Sequence, residues 1–192
     1  MAETKLRNLR GDVLADDWAR LTKYTFEYQR SDGVWETQVR QAYDRGDGAV
    51  LLPYDPGRGT VLLVRQFRLP AYLKGHLSPL IEACAGKLDA LDPVTCIRKE
   101  AEEELGYDLP NVTQIYFIHM SPGSVTEELA FFVSPYSAAD KVSDGGGADD
   151  EGEDIEVLEL PLDEALTMTR DGRIIDAKTI LLLQHLKLYG LP

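Results

Sequence analysis

The 192-residue sequence is short of basic residues, since 20 Lys and Arg stand against 33 Asp and Glu and the formal net charge is −13. Proteins that bind nucleic acid or an anionic membrane surface usually do so through clustered positive charge. The deficit therefore argues against both kinds of partner. If the substrate is a polyanion, the cations that neutralise it must be supplied locally.

Long apolar runs and cysteines are also scarce. No stretch approaches the roughly 18 apolar residues that a membrane-spanning helix needs, and residues 1–12 lack the apolar core and cleavage pattern of a signal peptide. The two cysteines, Cys84 and Cys96, lack the paired spacing of a zinc site. We therefore expect a soluble, cytoplasmic protein with two buried, reduced thiols.

The N-terminal part of the chain has the pattern of a β-hairpin. Apolar and polar residues alternate over residues 21–28 and 34–39, and Arg30-Ser-Asp-Gly33 between them has turn chemistry. A small antiparallel sheet needs further packing to be stable, and a second subunit could provide it. We therefore predict an N-terminal β extension over residues 1–45 and a main domain over residues 46–192.

The main domain has the pattern of an α/β protein. Near-continuous apolar runs at residues 49–53 and 60–67 are typical of strands buried on both faces. Further strands are predicted at residues 80–84, 114–118, 129–133 and 155–160, and helices at residues 93–105, 162–170 and 175–188. The mixed order favours a central mixed sheet with helices on its two faces.

One predicted helix carries a cluster of carboxylates. Asp92 and Pro93 are typical of its start and Gly106 of its end. Helical periodicity places an apolar stripe beside an acidic sector; the stripe is Val94, Ile97, Ala101 and Leu105, and the sector is Glu100, Glu103 and Glu104. A solvated acidic face is one interpretation. The other is a site for a hard cation, Mg²⁺ or alternatively Mn²⁺, which would reverse the repulsion between the carboxylates.

The residues around this sector resemble the Nudix box. In that motif a Gly and, six residues later, a Glu lead into Arg-Glu-apolar-x-Glu-Glu-x-Gly-apolar. Here Gly86 and Asp92 precede Lys99-Glu-Ala-Glu-Glu-Glu-Leu-Gly-Tyr107. Lys99 stands in place of the arginine and Asp92 in place of the first glutamate, and the box is one residue shorter than the standard one.

Flanking segments sharpen the resemblance. Residues 43–48, 64–68, 120–123 and 154–161 look like the GDP-mannose pyrophosphatase subgroup, which is close to the ADP-ribose pyrophosphatases. The resemblance implies a Nudix α/β/α sandwich, a homodimer formed through the N-terminal strands, and hydrolysis of a nucleotide sugar, GDP-mannose, to GMP and mannose 1-phosphate. ADP-ribose is a rival substrate, and a non-catalytic nucleotide-binding module is a rival of another class.

The resemblance also assigns roles by position. It implies metal ligands at Glu100, Glu104, Glu153 and the backbone carbonyl of Ala85, and catalytic roles for Glu153, Glu104 and Glu103. The residues by themselves do not choose among the four acidic residues of one loop, Asp149, Asp150, Glu151 and Glu153. A flexible, solvated loop is the alternative for that segment.

Substrate contacts are implied at five further positions, Trp18, Arg40, Arg68, Glu127 and Lys178. The ring of Trp18 would suit stacking on a base, and an arginine can grip a phosphate with two donors. The alternatives are a tryptophan in the core or a dimer interface, and solvated surface charges at the other four positions. Neither the base nor the sugar follows from these residues, because a stacked ring serves guanine and adenine equally.

Overall fold

The computed structural model describes residues 5–148 and 152–191. The chain divides into two compact units. The first comprises the residues up to Asp47 together with Ser121–Glu128, and the second comprises Gly48–Met120 and Leu129–Pro192.

The first unit is built on a three-stranded antiparallel sheet in the order β1-β2-β3, with β1 at Leu6–Asp16, β2 at Arg20–Gln29 and β3 at Trp35–Asp44. The β2–β3 pair confirms the predicted hairpin, and its register is unbroken. β1 was not predicted. Two register shifts interrupt its pairing with β2, so the alternation of apolar and polar residues is broken along it.

The second unit contains a seven-stranded mixed sheet. Its strands are β4 (Gly48–Asp55), β5 (Thr60–Gln66), β6 (Leu80–Glu82), β7 (Cys84–Lys87), β8 (Thr113–His119), β9 (Glu128–Pro135) and β10 (Glu156–Pro161). The main order is β10-β5-β4-β9-β8. β4 and β9 run parallel, whereas β5 is antiparallel to both β4 and β10.

In the centre of this sheet, β4 and β5 separate, and the segment that contains β6 and β7 lies between them. β4 and β5 pair only at Tyr54↔Val61 and Asp55↔Thr60. Further along, β6 pairs with β5 and β7 pairs with β4. The single strand predicted at residues 80–84 is thus two short strands separated at Ala83, and this segment lies in the middle of the domain.

Helices cover both faces of the sheet. They are α1 (Leu69–Leu73), α2 (Pro93–Glu100), α3 (Leu162–Asp171) and α4 (Ala177–Tyr189), with a π-helical segment at Ala101–Leu105 and a 3-10 turn at Ala138–Asp140. Leu51 of β4 packs in one core cluster with Ile97 of α2, whereas the next residue, Leu52, packs in the other with Leu182 of α4. The predicted α/β/α sandwich is confirmed.

Two other predictions concern burial and apolar runs. Cys84 and Cys96 are both free and buried, as predicted. Within residues 5–148 and 152–191, no helix is both long and apolar enough to cross a membrane.

α1 was not predicted, because none of its five residues is buried and it therefore has no apolar stripe.

Candidate active site

The helix of the Nudix-like box begins and ends where the sequence predicts. The Asp92 carboxylate accepts hydrogen bonds from the N–H groups of Val94 and Thr95, each at 3.1 Å, and Gly106 ends the helix with φ 79°. Val94 in the first turn is 42% exposed, so the buried stripe starts only at Ile97. From Ala101 the helix is a π-helix, a distortion that is frequent at functional sites.

Glu104 is the most deeply buried carboxylate of the box, with 1% of its surface exposed. Its Oε2 accepts a 3.1 Å hydrogen bond from the backbone N–H of Ala85. Burial raises the pKa of Glu104 to about 8; a hydrogen bond with Cys84 opposes the shift, and the charges of Glu100 and Glu153 increase it. An ionised Glu104 therefore needs a nearby cation.

Glu100 lies directly against the inserted strand β7. A Cβ atom added to Gly86 would be 2.1 Å from Glu100 Oε1, which is far closer than two such atoms can approach. The box therefore needs glycine at this position because the Glu100 side chain occupies the space. Gly86 follows Ala85, so the Glu100 carboxylate and the Ala85 peptide are neighbours.

A glycine loop brings the third carboxylate to the end of the helix. Gly146 and Gly147 donate backbone hydrogen bonds of 3.0 Å to the carbonyls of Glu104 and Glu103, which caps the π-helical segment. Glu153 Oε2 accepts a 3.2 Å hydrogen bond from the Ala148 N–H. The loop thus holds Glu153 close enough to influence Glu104 electrostatically.

Other acidic residues of the sequence motif have different positions. Glu103 accepts a 2.5 Å hydrogen bond from Lys99 Nζ, one turn earlier on the helix. Its carboxylate is therefore engaged by a cation of the chain itself, in contrast to Glu104. Asp149, Asp150 and Glu151 lie outside the described residues.

The donors suit a hydrated divalent cation. In the part of the chain that the structure describes, no three His, Cys, Asp or Glu side chains are grouped so as to hold a metal ion by themselves. Mg²⁺ does not require such a cage, because it commonly binds one or two carboxylates and completes its shell with waters and substrate phosphates. Burial first, and then the like charges of Glu100 and Glu153, raise the pKa of Glu104, and a cation among the three carboxylates would offset both effects.

Arg68 and Lys178, two of the predicted substrate contacts, meet at one buried carboxylate. Arg68 donates from Nε and Nη2 to the two oxygens of Glu82 at 3.1 and 3.2 Å, and Lys178 Nζ donates to Glu82 Oε2 at 2.6 Å. Glu82 was not singled out from the sequence. Its signal was a charged residue inside the apolar strand Leu80-Ile-Glu-Ala-Cys84.

The other three predicted substrate contacts belong to the first unit. Trp18, in the turn between β1 and β2, is 66% exposed, so it is not a core residue of this chain. Arg40 lies on β3 and donates to the carbonyl of Val39 at 2.8 Å. Glu127 pairs with Arg45.

Comparison with known proteins places the chain in a family. Residues 44–183 match the NUDIX domain family, and residues 5–43 match the family described as the GDP-mannose pyrophosphatase NudK N-terminal domain. The chain belongs to the Nudix family, and this sequence-based prediction is confirmed. Members of the family generally use divalent metal ions.

Similar proteins match along nearly their whole length. A protein of Pectobacterium atrosepticum is 51% identical over 93% of this chain and 92% of its own length. A protein of Yersinia enterocolitica is 47% identical over 97% of both chains, and one of Yersinia pestis is 46% identical over 98% of this chain and 94% of its own. Each of the three is named GDP-mannose pyrophosphatase.

Proposed function

We propose that this protein is a magnesium-dependent Nudix pyrophosphatase that hydrolyses GDP-mannose to GMP and mannose 1-phosphate. One observation carries the proposal: Glu104 is buried beside the like charges of Glu100 and Glu153. The three carboxylates repel one another, and a cation bound among them would remove this repulsion. The similarity to three relatives named GDP-mannose pyrophosphatase supports the choice of substrate.

Glu100, Glu104, Glu153 and the Ala85 carbonyl are the proposed ligands of the cation. When bound, a divalent ion neutralises the diphosphate oxygens and makes water more acidic. Glu153, or alternatively Glu104, accepts the proton of the attacking water, and Glu103, which pairs with Lys99, belongs to the same carboxylate cluster and orients it.

The chain's own cations complete the proposed substrate site. The diphosphate carries negative charge that repels an attacking nucleophile, and positive groups fixed nearby reduce this barrier. Arg68 and Lys178 are proposed to bind the diphosphate. Trp18, Arg40 and Glu127 are proposed to contact the nucleotide or sugar, Trp18 by stacking on the base.

Assembly and location are part of the proposal. We propose a homodimer formed through the N-terminal extension, because every residue of β1 is exposed within the single chain and several are apolar. A cytoplasmic location is consistent with two free, buried cysteines, since reducing compartments keep thiols unpaired.

The decisive experiment is a substrate panel with Mg²⁺ that contains GDP-mannose, other nucleotide sugars, ADP-ribose and dinucleotides. We expect GDP-mannose to give the highest kcat/KM, and ¹⁸O-labelled water shows which phosphorus is attacked. A higher kcat/KM for ADP-ribose would replace the substrate. Absence of turnover for every compound, with nucleotide binding retained, would favour the non-catalytic module.

The carboxylates are tested in the same assay. Glu100→Gln and Glu104→Gln remove one ligand charge each and keep the side-chain shape, so we expect turnover to fall by at least about 100-fold in a folded protein. The matched control is Glu164→Gln on the exposed side of α3, which should retain wild-type turnover. Retained activity in the two box variants would overturn the assignment of these ligands.

A further inference from the structure

Glu82 occupies an unusual position for a charged residue. It ends β6 in the middle of the sheet, and its side chain is only 3% exposed. A carboxylate this deeply buried needs compensation by partners. Burial alone would raise the pKa of Glu82, but the nearby charges of Lys178 and Arg68 lower it, so the residue is an anion.

The two cations around Glu82 are more exposed than Glu82 itself. The side chain of Arg68 is 40% exposed and that of Lys178 15% exposed. Glu82 accepts hydrogen bonds from both the Nε and the Nη2 groups of Arg68, so it holds the guanidinium by one edge. Glu82 therefore fixes the orientation of both cations.

Glu82 lies on the face of the sheet against which the box helix packs. Glu82 is opposite Val64 in the β5–β6 pair, and Val64 packs in the same cluster as Cys84 and the box helix. Because cross-strand partners share a face, Glu82 is on the face of Cys84, the thiol that bonds Glu104. The charge of Glu104 also acts on Arg68.

A second contact fixes the start of α4. Thr179 Oγ1 accepts a 2.7 Å hydrogen bond from the backbone N–H of Ala83, the residue after Glu82. Asp176 caps α4 through the Thr179 N–H at 3.0 Å and accepts a 2.9 Å ion pair from Lys178. Lys178 thus lies in the capped first turn of α4 and its ammonium group pairs with two carboxylates, which limits the entropy lost when it binds an anion.

We propose that Glu82 is a positioning residue that orients Arg68 and Lys178 toward the diphosphate of the substrate. The proposal rests on the diphosphatase activity proposed above. A stabilising role alone explains the arrangement poorly, because a buried ion pair contributes little net stability compared with apolar residues of similar size. Arg and Lys are the residues that bind phosphate groups, and a functional side chain needs a supporting residue that holds its conformation.

The test measures GDP binding by calorimetry in the presence of Mg²⁺, together with KM and kcat for GDP-mannose. Glu82→Gln keeps the shape and removes the charge, and we expect GDP to bind about 10- to 100-fold more weakly, with KM raised more than kcat is lowered. Asp163→Asn is the control, because it removes an exposed ion pair with Lys187 and should leave GDP affinity unchanged. An unchanged affinity in folded Glu82→Gln would overturn the proposal.

Two further variants separate positioning from folding. In an Arg68→Ala background, Glu82→Gln should cost less affinity than in the wild type, because one of the groups it orients is already gone; equal losses would contradict the proposal. If Glu82→Gln does not fold, Glu82→Asp should also weaken GDP binding, because the shorter side chain keeps the charge but moves the carboxylate away from the two cations. If Arg68→Ala and Lys178→Ala both bind GDP like the wild type, the proposal is wrong.

Binding and turnover distinguish this proposal from the proposed function. A wild type that cleaves GDP-mannose while Glu82→Gln binds GDP normally would leave the function standing and remove the role of Glu82. If the GDP affinity of the wild type depends on Glu82 but the protein cleaves only other diphosphates, the role of Glu82 stands and the proposed substrate is wrong. A wild type that does not bind GDP or ADP would overturn the role of Glu82.

Discussion

The backbone N–H of Ala85 donates a 3.1 Å hydrogen bond to Oε2 of Glu104. This contact joins the inserted strand β7 to the π-helical end of the box helix. It also brings two of the proposed metal ligands together, because Ala85 holds the Glu104 carboxylate through its N–H and is itself a proposed ligand through its carbonyl. The bond orients Glu104 but does not offset its burial, since the pKa of Glu104 still rises to about 8.

The metal-free protein should become less stable as the pH rises toward 9. The pKa of Glu104 rises from 4.5 to about 8 on folding, so its contribution to stability is fully present below pH 4.5 and is lost as the pH passes 8. This loss is on the order of a few kcal/mol. Thermal or urea unfolding in EDTA should therefore show Glu104→Gln to be more stable than the wild type at pH 9 and to differ less at pH 5.

Mg²⁺ provides the control for this experiment. The ion should stabilise the wild type at pH 9, because it compensates the ionised carboxylates, and should stabilise Glu104→Gln much less. If the stability difference between the two proteins were the same at pH 5 and pH 9 in EDTA, Glu104 would not carry the raised pKa.

The ends and the buried stripe of the box helix were predictable from the sequence. Asp92 and Gly106 mark the ends. The stripe is Ile97, Ala101 and Leu105. The π-helical segment was not predictable. Regular periodicity gives Glu100, Glu103 and Glu104 similar positions, whereas in the structure Glu104 is buried and Glu103 pairs with Lys99. Local spacing does not reveal which partner each side chain finds.

Long-range contacts were the other feature that the sequence could not reveal. Glu82 bonds Arg68, which lies 14 positions away in the sequence, and Lys178, which lies 96 positions away. Ser121–Glu128 joins the first unit through hydrogen bonds between Tyr43 and both Ser124 and Thr126, although the apolar pattern assigns its neighbours to the main domain. Such pairings depend on the tertiary fold rather than on local pattern.

Gly86→Ala should impair catalysis while the fold survives. The added Cβ would be 2.1 Å from Glu100 Oε1. The flexible Glu100 side chain would move away, and because displacing a catalytic group by about 1 Å can cost 100-fold, we expect kcat/KM to fall by about that factor. Gly123→Ala is the matched control, since nothing lies within 4 Å of its Cβ. Equal activity in the two variants would show that Glu100 is not required at this place.

Gly147→Ala should separate backbone strain from displacement of Glu153. Gly147 has φ +88°, and its added Cβ would be 2.6 Å from Glu153 Oε2. Gly172 has φ +84° with nothing within 4 Å, so Gly172→Ala has the strain alone. We expect each variant to lose about 1–2 kcal/mol of stability, but only Gly147→Ala to lose about 10- to 100-fold in turnover. Similar turnover in both would remove Glu153 from the proposed mechanism.

Val13→Asp should dissociate the proposed dimer. Val13 lies on β1, where Leu6, Leu9 and Leu14 are also exposed within the chain. An aspartate buried without a partner in an interface costs several kcal/mol, so we expect dimerisation to weaken by at least about 100-fold. Analytical ultracentrifugation should give twice the chain mass of 21.4 kDa for the wild type and a single chain for Val13→Asp. Leu188→Asp, at an exposed apolar position on α4, should remain dimeric. A wild type that sediments as a single chain, or a Val13→Asp variant that stays dimeric, would exclude an interface built on β1.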